Sequence, residues 1–337
     1  MSSKTLTSWA LLIWKLLQQE QLDAAAIFKK AGLNPALLSV SNARYPLEGM
    51  YKLWSAAVEA TGDQAFGFRV GKEWSSTSFN ALGFAWLASS SLKEGFNRLQ
   101  RYSKLVNNSL ITQFYRTDTA YHFKFDTHEN IDLIHPCARD AGLISIIKMA
   151  RLLYGESFSP VEILLSGDCF DHSGAIEAYV RCPLVYQQPV NLIAIGIAEC
   201  ETQLPTGDPE FALLSDQLLM TRLEQVDNSL TSQVRNIIQK SLPNGDLSEE
   251  LVADRLHMST RSLQRKLNDE HTSYQAILTD VRKNLAQNYI RATQLSQNEI
   301  SYLLGFQNQA NFTRAFKSWF RVSPTDYRQQ ILATFPA

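Results

Sequence analysis

Residues 306–324 read FQNQANFTRAFKSWFRVSP. Advanced at 100° per residue, Phe312, Phe316, Trp319 and Phe320 collect on one side of a helix, while Gln307, Ala310, Asn311, Arg314 and Arg321 collect on the other. The aromatic side has to be buried against other elements. The opposite stripe then carries the side chains that read base edges in a major groove: Arg pairs bidentately with guanine O6/N7, and Gln or Asn with adenine N6/N7, at roughly 1–3 kcal/mol of discrimination per pair.

A single helix of this kind is common on any protein surface, but here the pattern occurs twice. Val252-Ala-Asp-Arg-Leu256-His-Met-Ser259 aligns with Ile300-Ser-Tyr-Leu-Leu304-Gly-Phe-Gln307, and one residue further on Leu263-Gln-Arg-Lys-Leu267 aligns with Phe312-Thr-Arg-Ala-Phe316. In the first copy Leu263 and Leu267 face inward, Arg261, Arg265 and Asn268 outward, with Gln264 at the margin. Each copy predicts helix, tight turn, helix, with a left-handed residue between the helices: Gly305 in the second copy and His257 in the first. Arg265 and Arg314 occupy matching positions.

Helix starts punctuate the whole region. Asp246-Leu-Ser-Glu249, Thr272-Ser-Tyr-Gln275 and Ser296-Gln-Asn-Glu299 fit capping boxes, and Ser323-Pro-Thr-Asp326 places Ser before a Pro at the first helical position. They divide residues 229–332 into about seven helices with short connections. The longest starts at Tyr274, where Ile277, Leu278, Val281, Leu285 and Tyr289 keep helical spacing over roughly five turns.

These motifs resemble the AraC/XylS family of bacterial transcription regulators over about a hundred residues, Asn228 to Gln330. The matching runs are Ser259-Thr-Arg-Ser-Leu263-Gln-Arg-Lys-Leu267 and Gly305-Phe306 through Asn311-Phe-Thr-Arg314-Ala-Phe316-Lys to Val322-Ser-Pro-Thr-Asp-Tyr327-Arg. The resemblance implies an all-α C-terminal domain in which a long linker helix joins two helix-turn-helix units, so that two recognition helices enter successive major grooves about 34 Å apart. Carried over by position, Arg261, Gln264 and Arg265 form one base-reading group, and Gln307, Asn311 and Arg314 the other. Lys266, Arg282, Lys283, Lys317 and Arg321 are expected at phosphates, where they add salt-dependent affinity without reading sequence. His257 departs from the small residue usual at the first turn.

Charge is divided unevenly. Residues 229–337 hold 13 Lys+Arg against 9 Asp+Glu, net +4, and residues 1–228 hold 19 against 24, net −5. A basic module attached to an acidic one suits a sensor joined to a nucleic-acid binder. With 337 residues, 45% of them hydrophobic, the chain can bury more than one core.

The N-terminal part mixes periods. Trp9, Leu12, Ile13, Leu16 and Leu17 form a helical stripe, and further helices are expected near 46–61 and 92–106. Leu110-Ile-Thr-Gln-Phe-Tyr and Ala120-Tyr-His-Phe-Lys-Phe, separated by Thr117-Asp118-Thr119, predict a hairpin. Val161-Glu-Ile-Leu-Leu and Val190-Asn-Leu-Ile-Ala-Ile predict strands, with a helix from Ser173 to Val180 between them. This is an α+β pattern. Arg44-Tyr-Pro-Leu, Phe66-Gly-Phe-Arg-Val-Gly71 and Leu82-Gly-Phe-Ala-Trp-Leu-Ala-Ser-Ser90 resemble the N-terminal domain of an AraC-family branch described as arabinose-binding-like. That branch serves varied effectors, so a sugar is not implied. Pro205-Thr-Gly-Asp-Pro209 breaks regular structure before Phe211, Leu214, Leu218 and Leu219 resume helical spacing. The expected organisation is therefore a sensing and dimerisation domain at 1–208, an interdomain helix at 209–228 and a DNA-binding domain at 229–337.

Catalysis finds no support: the chain has no GxSxG elbow, no P-loop and no GxGxxG after a strand. His128-Glu-Asn-Ile-Asp132-Leu-Ile-His135-Pro-Cys137 contains ligand-type residues at spacings that fit no common zinc pattern, so neither metal nor cofactor is expected. The four cysteines are read as isolated thiols. Arg69, Lys72 and Arg139 offer cations to an anionic effector, although surface charge accounts for each more simply, and the effector residues stay open. Lys15 interrupts the first apolar run, so a membrane span is not expected and a cytoplasmic location is. The expected protein is a DNA-binding transcription regulator, an activator by family habit, acting as a homodimer on promoter DNA and RNA polymerase under a small-molecule effector. The alternative is a constitutive DNA-binding protein whose N-terminal domain serves only oligomerisation.

Overall fold

In the computed structural model, residues 3–127, 134–169, 173–205, 207–226, 229–245, 247–292 and 295–334 are described. The chain divides into two compact units, Met1–Asp208 and Pro209–Ala337. Among the described residues no helix is long and apolar enough to cross a membrane.

The first unit runs β1 (Lys4–Leu6), α1 (Thr7–Gln19), α2 (Ala24–Lys30), β2 (Arg44–Pro46), α3 (Leu47–Thr61), α4 (Phe66–Lys72), α5 (Ala81–Leu87), α6 (Leu92–Val106), β3 (Leu110–Arg116), β4 (Ala120–Thr127), α7 (Pro136–Tyr154), β5 (Glu162–Leu164), α8 (Ser173–Val180), β6 (Leu184–Val185), β7 (Leu192–Gly196) and α9 (Ile197–Glu201). The alternating hairpin sequence pairs as expected, Phe114 opposite Phe123, and joins a five-stranded sheet of order β3-β4-β7-β5-β6. The short pair β1–β2 and strand β6 carry too few residues to show a period in the sequence.

Apolar stripes assemble the core of this unit. Leu12, Ile13, Leu16 and Leu17 of α1 are buried with Leu53 and Trp54 of α3 and Phe66 and Val70 of α4. On α4, Gly67 and Gly71 lie one turn apart against α7: a Cβ on Gly67 would stand 2.2 Å from the Cys137 carbonyl oxygen, and one on Gly71 2.7 Å from Ile144 Cβ. The two glycines let the helices approach closely, which accounts for the Phe66-Gly-Phe-Arg-Val-Gly71 motif as packing. On α6, Phe96 stacks on Phe114 of the sheet with centroids 5.4 Å apart.

Among the described residues the second unit is helical: α10 (Pro209–Val226), α11 (Leu230–Ser241), α12 (Glu249–Arg255), α13 (Thr260–Asp269), α14 (Tyr274–Ala292), α15 (Gln297–Leu303), α16 (Gln309–Phe320) and α17 (Pro324–Thr334). At about 28 Å, α14 is long enough to serve two cores. Tyr274, Ile277, Leu278 and Val281 enter one, together with Val252, Leu263 and Leu267. Ala286 and Ile290 enter the other, with Ile300, Leu304, Phe312 and Phe316.

Caps refine the expected helix starts. Ser296 and Glu299 form the reciprocal capping box, and Ser323 Oγ accepts from the Asp326 N–H at 3.1 Å. The cap of α14 is Ser273, accepting from the Ala276 N–H at 3.2 Å, one residue after the expected Thr272. Ser248 caps α12; Asp246 lies outside the described residues. In both corrections the serine directly preceding the first turn reaches a backbone N–H three residues on.

Candidate nucleic-acid interface

The connections preceding α13 and α16 share one backbone design. His257 (φ +53°) and Gly305 (φ +64°) are both left-handed. Met258 N–H donates to Ala253 O and His257 N–H to Asp254 O; Phe306 N–H likewise donates to Ser301 O and Gly305 N–H to Tyr302 O. Each is a Schellman closure, in which the left-handed residue satisfies carbonyls at the helix end. The second connection is one residue longer, as the sequence offset requires: Ser259 caps α13, whereas Asn308 caps α16.

Burial fixes which stripe each helix displays. Leu263 and Leu267 are buried on α13, Phe312 and Phe316 on α16. Arg261, Gln264, Arg265 and Lys266 are exposed on α13, and Arg314 and Lys317 on α16. Arg265 stands two residues past Leu263, and Arg314 two past Phe312. Asn311 is half-buried and its Oδ1 accepts from the Arg314 guanidinium at 2.6 Å, orienting that cation along the helix. Gln264 donates to Glu249 at 3.2 Å.

Three residues depart from the helical-face reading. Gln307 lies before α16 and is exposed in the connection. Arg321 follows the helix end in a left-handed conformation (φ +65°), its N–H donating to Lys317 O; the helical wheel placed it on the outward stripe because a wheel contains no signal for where the helix stops. Arg282 of α14 turns inward: Nε donates to Leu304 O and a terminal nitrogen to Gly305 O, both at 2.9 Å, and the guanidinium sits 4.4 Å from the Phe306 ring centroid. Burial lowers its pKa from the usual arginine range. Lys283, the adjacent residue, stays exposed, its Nζ 5.6 Å from the Phe320 ring.

Within the first unit a cavity of about 190 Å³ opens between α3, α6, α7 and the β3–β4 hairpin. Its residues went unrecognised in the sequence because cavity-facing apolar positions keep the same period as core positions. Of the three candidate cations Arg139 lines it, whereas Arg69 pairs with Glu20 and Asp63, and Lys72 lies over the Phe68 ring. His135 caps α7, its Nδ1 accepting from the Cys137 N–H at 3.2 Å, and burial lowers its pKa. His128 through Asp132 lie outside the described residues. Burial pushes the Cys137 thiol up to about 11 and Cys182 and Cys200 to about 12, so these three are held as protonated thiols.

Comparison with known proteins gives these two regions a family. Residues 22–200 match the model of the arabinose-binding domain of AraC transcription regulator, N-term, and residues 252–330 match a helix-turn-helix domain. The chain is 25% identical over 325 residues to the ornithine utilization regulator of Pseudomonas aeruginosa, covering 96% of this chain and 95% of that protein. It is 31% identical over 99 residues to the transcriptional activator NphR of a Rhodococcus species, 29% of this chain and 30% of that one. A crystal structure of the transcriptional regulator CdpR from Pseudomonas aeruginosa aligns with 94% of this chain and 96% of its own at 19% identity, with a TM-score of 0.47. A helix-turn-helix domain follows an N-terminal match that spans more than half of the sequence, and the chain therefore belongs to the AraC family of DNA-binding transcription regulators.

Proposed function

We propose that α12–α13 and α15–α16 are two helix-turn-helix units joined by α14, and that α13 and α16 enter successive major grooves of promoter DNA. The observation carrying this reading is the repeated Schellman turn with an exposed arginine at the matching position, Arg265 and Arg314. A residue shared by two otherwise distinct helices on their solvent side has no packing function there. Arg261, Gln264, Arg265, Gln307, Asn311 and Arg314 read bases; Lys266, Lys283, Lys317 and Arg321 meet phosphates. Arg282 supports the second unit from within.

The first unit, residues 1–208, binds a small-molecule effector in its cavity and supplies the dimer contact, with 209–228 as the helix leading into the DNA-binding part. The effector acts by favouring one state of the protein, since only unequal affinity for two states shifts their populations. The protein works in the cytoplasm as an activator that contacts RNA polymerase; the activator named among its relatives supports that sign. In binding titrations against cognate and scrambled duplexes, Arg265→Ala and Arg314→Ala each lose about 1–3 kcal/mol of preference. Lys317→Ala weakens both duplexes alike and reduces the salt slope by about 0.9. Unchanged preference in both arginine variants removes them from base recognition.

A further inference from the structure

The cavity wall is apolar along most of its length. Helix α3 brings Met50 and Trp54 to it, α6 brings Leu99 and Val106, and β4 brings Phe123 and Phe125. The polar side chains on the wall are largely committed to the fold. Thr5 Oγ1 donates to Val106 O at 3.0 Å. The Ser103 and Thr112 hydroxyls are 3.0 Å apart, and Thr112 also donates to Gln100 O. Asn107 Oδ1 accepts from both the N–H and the hydroxyl of Ser109, and Asn191 Oδ1 from both those of Ser166.

The titratable side chains on the wall include His135 and Arg139, with Tyr51 beside the His135 ring at 5.2 Å. Arg139 lies one turn along α7 from the capping His135, and its guanidinium packs against Gly167, beside Ser166. The Phe125 N–H donates to Asn191 O, which brings Asp126 to the same part of the wall. Arg139 and Asp126 are themselves engaged with other groups. A sugar enclosed here would leave most of its hydroxyls against aromatic and aliphatic carbon, and an unpaired buried hydroxyl is strongly disfavoured. The space itself is kept clear by Gly142 on α7, where a Cβ would meet nothing within 4 Å.

We propose that the cavity takes an amphiphile, with an apolar chain or ring body along α3, α6 and β4 and one hydrogen-bonding head, carboxylate or hydroxyl, at the His135–Arg139 end. This rests on the reading of the first unit as an effector domain. The test is calorimetric titration of the full chain with hexanoate, octanoate and decanoate below their micellar concentrations, with 1-octanol, L-arabinose and L-ornithine alongside. The dissociation constant is expected to fall about fourfold per added methylene (about 0.8 kcal/mol each) until the chain outgrows the space. Octanoate against 1-octanol tells the two head groups apart. Gly142→Leu fills the space and is expected to weaken octanoate at least tenfold without lowering the melting temperature, because leucine is the better helix former. Saturable binding of L-arabinose or L-ornithine that Gly142→Leu abolishes overturns the ligand class, as does an affinity independent of chain length or no binding by any carboxylate or octanol. Failure of the ligand class leaves the DNA preference of the unliganded protein untouched, whereas failure of the proposed function appears in that preference whatever the cavity binds.

Discussion

Arg282 separates two roles that a sequence leaves open for an arginine: neutralising a phosphate and holding the fold together. Its guanidinium makes two hydrogen bonds to the Leu304 and Gly305 carbonyls and lies over Phe306, so it clasps the left-handed turn at Gly305 (φ +64°) to α14. Hydrogen bonds from a charged donor contribute roughly 1.5–3 kcal/mol each and a partly buried cation–π contact about 1 kcal/mol more. The three share one side chain and do not add, and part of the group remains in contact with water, so we expect Arg282→Met to cost the second unit about 2–4 kcal/mol. Methionine keeps an unbranched apolar side chain at this position and removes the guanidinium, with its two donors and its charge over Phe306. The assay is hydrogen exchange of amides in α15 and α16, together with DNA affinity measured as a function of salt. The expected result is faster exchange in those helices and an unchanged salt slope. A slope reduced by about 0.9 with exchange unaltered would mean that Arg282 neutralises a phosphate, and the clasp would be refuted.

Two further predictions concern the first unit. Gly67→Ala puts a methyl 2.2 Å from the Cys137 carbonyl oxygen and forces α4 away from α7; we expect a loss of about 1–3 kcal/mol in urea unfolding, whereas Gly142→Ala, with open space around its Cβ, gains up to about 1 kcal/mol from helix propensity. A neutral Gly67→Ala would show that the two helices slide apart freely. Burial depresses the His135 pKa below 6.5, so the unfolded chain binds more protons there; the stability it contributes is complete above pH 6.5 and is lost as the pH falls through the lower folded value. Asn keeps the helix cap without titrating, so His135→Asn should show a smaller drop in melting temperature between pH 7.5 and 5.5 than the parent, and an identical drop in the two proteins would assign the pH dependence elsewhere.

Local rules carried far along this chain. The stripes of α1 and α16, the hairpin between Thr117 and Thr119, and the left-handed positions at His257 and Gly305 are each written in a few consecutive residues, because helix and strand periods, caps and turn conformations are short-range properties. For the same reason the exposed Arg265 and Arg314 were legible: burial of Leu263 and Phe312 two residues earlier dictates where they point. Element ends were less so. Gln307 and Arg321 read as helical by period, yet Asn308 caps the helix after the first and the backbone turns left-handed at the second.

By itself the sequence determined the two repeated helical pairs, their inward and outward faces and the kind of chemistry they display. Only the tertiary structure decided that Arg282 faces a turn 22 residues away rather than solvent, that Gly67 and Gly71 exist for α7, and that α3, α6, α7 and a hairpin enclose a space instead of packing solid. Such features depend on residues far apart in the chain meeting in three dimensions, and a hydrophobic period is the same whether the surface it faces is another side chain or a cavity.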